Sequence, residues 1–168
     1  MYNYRIVAEH MPGTPDNVVL NTPEKTAQFL LEHCFKKSEM WREHCFVLTA
    51  NCSCVVNGAA LVSVGGTSKT IFDRKIICKY AVETLSDAVI IAHNHLSGNP
   101  LPSPSDIEET QRIKNALSVL GITLLDHVIV CEDSFYSFHE EIKGTFRKND
   151  NSATFPRRAP KTSNVAFA

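Results

Sequence analysis

Three stretches of the chain repeat apolar residues every three or four positions, and five others carry them alternately or in short unbroken runs. Ala27, Leu30, Leu31, Cys34 and Phe35 share one helical stripe. They follow Thr22-Pro23-Glu24, a capping hydroxyl and then a proline at the first turn, where its missing N–H costs nothing, so a helix is predicted over 23–40. Ile76, Ile77, Tyr80, Ala81 and Leu85 form a second stripe behind Asp73, a capping residue. The third stripe holds Ile113, Ala116, Leu117 and Leu120; Ser105 and Glu108 have capping-box spacing before it, and Gly121 sits where a helix stops. Strands are expected over 43–49, 54–64, 87–92, 122–130 and 135–138, with turns at 51–53 and 132–134. The run Ala88-Val89-Ile90-Ile91-Ala92 has no polar face, which suits a central strand covered on both sides. The order α-β-β-α-β-α-β-β predicts one α/β domain.

Composition narrows the class further. The 168 residues suffice for one ordinary domain, and 43% hydrophobic with 21% charged residues is ordinary for a globular chain. The net charge of -1 hides an asymmetry: five basic residues (Arg147, Lys148, Arg157, Arg158, Lys161) stand against Asp150 alone after residue 146, leaving -5 on residues 1–146. An acidic body argues against a nucleic-acid-binding core, because phosphate affinity needs clustered Lys and Arg. Residues 1–21 read as an extended arm, 22–146 as the domain and 147–168 as a basic, disordered tail. No apolar run is long enough for a bilayer and no secretory leader is visible, so the chain reads as cytoplasmic and not membrane-bound. The six cysteines are expected to be reduced and mostly buried. Oligomeric state has no signature in the sequence.

The chemistry sits in the Gly/Pro/Ser-rich loop after the central strand, His93-Asn94-His95-Leu96-Ser97-Gly98-Asn99-Pro100-Leu101-Pro102-Ser103-Pro104-Ser105-Asp106. On an extended segment, side chains two apart share a face, so His93 and His95 can approach one ion. The returning loop lets Asp106 supply a third ligand from a first helical turn. Two imidazoles and a carboxylate leave one tetrahedral position for water, the pattern of a catalytic zinc ion. Ser103 has the position to donate to an oxyanion or, alternatively, to cap the helix. No carboxylate in the loop is free to act as a base; Glu43, opening the first strand, is the candidate, with Glu39 its nearest competitor.

His-x-His, seven residues, Ser, two residues, Asp, with Glu43 fifty residues upstream, resembles the JAMM (MPN) metalloprotease signature. Composition alone would produce on the order of 0.001 accidental matches to the loop pattern in a chain this long. The RadC branch is closer still. Its His-Asn-His-Pro-Ser-Gly loop and its Leu-Asp-His-x-Ile strand are similar to 93–106 and to Leu125-Asp126-His127-Val128-Ile129, and Val64-Gly65-Gly66-Thr67 resembles its glycine turn. Leu96 replaces the family's usual proline. The resemblance spans about 23–141 and implies a JAMM/MPN-like α/β domain, a mixed, mostly antiparallel sheet flanked by helices in a cytidine-deaminase-like layering. It also implies a zinc metallopeptidase that cleaves an amide or isopeptide bond in a peptide or protein, with His93, His95 and Asp106 as metal ligands, Glu43 as base and Ser103 as oxyanion donor.

Longer RadC proteins resemble DNA-binding chains through a helix-hairpin-helix region, which nothing here matches, so the family's DNA-repair label transfers poorly. The alternative expectation is a metal-stabilised module without turnover, associated with DNA repair or mobile elements, with the basic tail as its nucleic-acid contact. Asp126-His127 reads either as a pair that orients a ligand imidazole or as a sheet-edge pair. The layouts of nucleobase deaminases and of His-Glu-x-x-His zincins are both absent.

Overall fold

The computed structural model describes residues 17–35, 40–66 and 72–146. The tail 147–168 and most of the arm lie outside this range, as does Glu39. Helix α1 (Pro23–Phe29) runs into a π-helical turn over Leu30–Cys34, followed by β1 (His44–Ala50), β2 (Val56–Val64), α2 (Arg74–Glu83), β3 (Ala88–Asn94), α3 (Pro104–Val119), β4 (Thr123–Val130), β5 (Ser134–Ser137) and β6 (Ile142–Thr145). The strands form one sheet in the order β2-β1-β3-β4-β5-β6. Only the β3–β4 pair is parallel. A single α/β domain with a mixed, mostly antiparallel sheet is therefore what the chain forms.

The sheet separates two cores. On one face Ala27, Phe29, Leu30, Cys34 and Phe35 pack against Leu48, Ile90, Ala92, Val128 and Val130. On the other, Ile77 and Ala81 of α2 and Ile113 and Leu117 of α3 cover Cys45, Val47, Val89 and Ile91. Alternate residues of β3 thus face opposite layers, and all seven of its residues are buried. That is the reason its sequence shows no polar side until His93.

Several local expectations needed correction. The first helix closes at Cys34 rather than continuing to 40: Phe35 N–H bonds back to Leu30 C=O, and the Phe35 ring turns into the core edge-on to Phe46 at 5.1 Å. The cap of α3 is Ser103 with Asp106, not Ser105 with Glu108. Pro104 explains the shift, since proline is suited to the first helical position and moves the cap one residue before itself. Leu85 and Leu120 belong to helix ends and are exposed, outside the buried stripes. Gly121 does end α3, at φ +72°, with its own N–H on Ser118 and that of Ile122 on Leu117. Strand β6 was not expected. Of the arm, Val19 bridges Val55 and Leu20 is buried. All six cysteines are free thiols, but only Cys34, Cys45 and Cys131 are buried. Among the described residues no helix is long and apolar enough to cross a membrane.

Candidate metal centre

The centre lies where β3 ends, on the α2/α3 face of the sheet. Strand β3 runs further than expected, through His93 and Asn94, and His95 N–H still reaches Val130 C=O on β4. Residues 89, 91, 93 and 95 therefore share a face, which carries the two imidazoles toward α3. The loop between them is pinned by Asn99, whose carbonyl lies 2.9 Å from His95 Nδ1. Helix α3 opens with a reciprocal capping box: Asp106 N–H donates to Ser103 Oγ, while Ser103 N–H donates to Asp106 Oδ2 at 2.8 Å. The box holds the Asp106 carboxylate toward the strand rather than toward solvent.

Among the described residues, His93, His95 and Asp106 form a group whose ligand atoms lie within 4.8 Å of one another. His93 Nε2 and His95 Nε2 are 2.9 Å apart. Asp106 Oδ1 is 3.4 Å from His93 Nε2, and Oδ2 is 3.4 Å from His95 Nε2. Ligands at about 2.0–2.1 Å on a tetrahedral ion are separated by about 3.3 Å, so the spacing fits a small divalent cation. The donor set agrees. His95 faces a carbonyl with Nδ1, and a carbonyl only accepts, so neutral His95 carries its proton there and turns a bare Nε2 to the cluster.

Charge and burial oppose each other here. Burial lowers the proton affinity of His93, against the pull of the Asp106 carboxylate and the weaker pull of Glu43. Burial also works against protonated His95, but Asp106, the Asn99 carbonyl and Glu43 outweigh it and raise its pKa. Asp106 loses solvation, yet the imidazoles of His93 and His95 beside it and the Ser103 hydroxyl hold its carboxyl far below the usual carboxylate range. An ionised carboxylate beside two imidazoles is a ready ligand set.

Glu43 stands just before β1, half-buried, with its main chain bonded to Gly65 and Gly66. Cys45 pairs with His93, and that register continued by two residues sets Glu43 across from His95. Its charge reaches both histidines. Ser103 Oγ accepts from Asp106 N–H, as the capping alternative requires, and its one proton is engaged on Asp106 Oδ2 at 2.6 Å.

The Asp126-His127 pair divides. His127 points to the centre: its Nε2 is 2.8 Å from His93 Nδ1 and its Nδ1 is 2.6 Å from Thr110 Oγ1. Phe138 stacks on it at 4.6 Å and Phe72 meets it edge-on at 5.3 Å; burial holds its proton affinity well below normal. Asp126 instead ties β4 to the end of β5 and the segment after it, accepting from His127 N–H, His139 N–H and the Ser137 hydroxyl. Sequence reasoning missed Thr110, although it lies one helical turn after Asp106, and missed what Asn94 does.

The family model of the RadC-like JAB domain matches residues 20–144. The chain belongs to that family. The JAB domain is 34% identical over 122 residues to a UPF0758 protein of Desulfitobacterium hafniense, covering 73% of this chain and 52% of that one. A UPF0758 protein of Porphyromonas gingivalis is 41% identical over 106 residues, 62% of this chain and 44% of its own length. One from Streptococcus thermophilus is 44% identical over 80 residues, 48% and 35% respectively. The chain spans about half the length, or less, of these curated relatives.

Proposed function

We propose that this JAB domain is a zinc-dependent amide hydrolase that cleaves a peptide or isopeptide bond. The observation that carries the reading is the convergence of two imidazole Nε2 atoms and one carboxylate at tetrahedral spacing, with Glu43 two residues before the Cys45–His93 pair. A divalent cation held by His93, His95 and Asp106 would polarise a carbonyl and lower the pKa of a bound water from about 15.7 toward 7. Glu43 then accepts a proton from the attacking water and returns it to the leaving amine as the C–N bond breaks. Ser103 would donate to the developing oxyanion by exchanging its bond to Asp106 Oδ2 for one to substrate.

Zinc content after reconstitution tests the ion, and less than about 0.2 equivalents would count against a three-ligand site. A peptide and isopeptide library tests the reaction, with His95→Ala as the metal-deficient control. Glu43→Gln is expected to keep zinc and lose turnover. Cleavage at the wild-type rate by Glu43→Gln would remove Glu43 from the mechanism.

A further inference from the structure

A neutral imidazole has one bare nitrogen, and only that nitrogen can face a cation. For His95 the Asn99 carbonyl decides which one it is. For His93 the nitrogen turned away from the cluster meets His127 Nε2 at 2.8 Å, an atom able to donate or accept. His127 Nδ1 in turn meets the Thr110 hydroxyl at 2.6 Å, which can also do either. Two acceptors bound the chain: Asp106 Oδ1 is 3.4 Å from His93 Nε2, beyond ordinary hydrogen-bond length, and the one at the far end is in full contact. Thr110 Oγ1 is 2.5 Å from the main-chain carbonyl of Asp106, which can only accept.

A hydroxyl has one proton. Donated to Asp106 C=O, it leaves Thr110 Oγ1 to accept from His127 Nδ1–H. His127 Nε2 then accepts from His93 Nδ1–H, and His93 Nε2 is left bare beside His95 and Asp106. The opposite polarity would set two oxygens 2.5 Å apart with no proton between them and place a proton on His93 Nε2, where the cation belongs. Water cannot stand in for a missing partner, because His127 is wholly buried between Phe138 and Phe72.

We propose that Thr110 and His127 are positioning residues that fix the tautomer of His93, so that the site meets a cation with its lone pair already aimed. The polarity is set by the backbone of Asp106, so one ligand residue determines the proton position on another, through Thr110, one helical turn along α3, and His127 on β4. The inference rests on the metal reading above and adds its supporting partners.

Two measurements on the full chain test it. Zinc affinity by chelator competition is expected to fall about 10–100-fold in Thr110→Val, which keeps the shape and removes the hydroxyl, and to stay within about threefold in Thr110→Ser. Nitrogen-15 NMR of labelled histidines in the metal-free wild type at neutral pH is expected to show His93 and His127 both as Nδ1–H tautomers. An Nε2–H tautomer at His93 overturns the proposal, whether or not Thr110→Val folds. Wild-type zinc affinity in a folded Thr110→Val overturns it too, while the metal reading stands. A wild type that takes up no zinc overturns the metal reading, and the proposal with it.

Discussion

Asn94 grips the main chain on both sides of Glu43: its Oδ1 accepts from His44 N–H at 2.7 Å and its Nδ2 donates to Arg42 C=O at 2.9 Å. Asn94 is itself fully buried and lies between the two candidate ligands, His93 and His95. One amide therefore ties the strand that bears the ligands to the backbone that carries the proposed base. Asn94→Ala should lower stability by about 1–3 kcal/mol in denaturant unfolding, since it leaves the buried His44 N–H unpaired, while Arg42 C=O keeps its bond to His44 Nδ1. Because the ligands themselves are untouched, zinc stoichiometry should persist while turnover falls. Wild-type turnover in the folded variant would mean that Glu43 needs no such brace.

Asp126 is a different kind of buried acid. Burial raises its pKa above 3.8, against the hydrogen bonds from Ser137, His139 and His127. Since the folded carboxyl holds its proton more tightly than the unfolded one, stability is lost as pH rises through the window from 3.8 up to the raised folded value. Asp126→Asn keeps an acceptor for the two N–H groups and removes the charge. It should unfold within about 1 kcal/mol of wild type at neutral pH and gain relative to it as pH rises through that window. Asp126→Ala strands the donors and should cost about 1–3 kcal/mol. Unfolding curves across pH check both.

Gly144 lies against the Phe135 ring. A Cβ built there would sit 2.2 Å from Phe135 Cζ and 2.3 Å from Cε1, and Phe135 is buried in the α1-side core. The ring has little room to retreat, so Gly144→Ala should destabilise by about 1–3 kcal/mol. Thermal unfolding that matches wild type would show that β6 can lift away at no cost.

Leu85 closes α2 in the left-handed region at φ +49°, where glycine is the usual residue. Its N–H reaches Val82 C=O and that of Ser86 reaches Ala81 C=O, while its side chain is 88% exposed and packs little. Leu85→Gly should therefore raise stability by about 1 kcal/mol, the relief of the Cβ contact exceeding the added freedom of the unfolded chain. A lower midpoint in the same denaturant titration would count against this.

Three helices and five of the six strands were readable from spacing alone, because apolar period and caps are local properties. Three misreadings have physical sources. Helix α1 ends where Phe35 finds Phe46, a partner eleven residues away. The α3 cap moved because proline outranked a correctly spaced Ser105-Glu108 pair. Strand β6, with a glycine in four residues, has weak strand propensity and exists through its ladder to β5.

The convergence of the candidate ligands was also legible, and for the same reason: His93, His95 and Asp106 come from one short segment whose strand, loop and helix start are each encoded locally. What only the tertiary structure decided is everything that meets across the sheet. Asn94 finds the backbone of Arg42 and His44 some fifty residues away, His93 finds His127 thirty-four away, and Thr110 finds His127 seventeen away. Those meetings depend on which strands pair, and in which register. A shift of one residue would turn each of the strand side chains, His93, Asn94 and His127, to the opposite face.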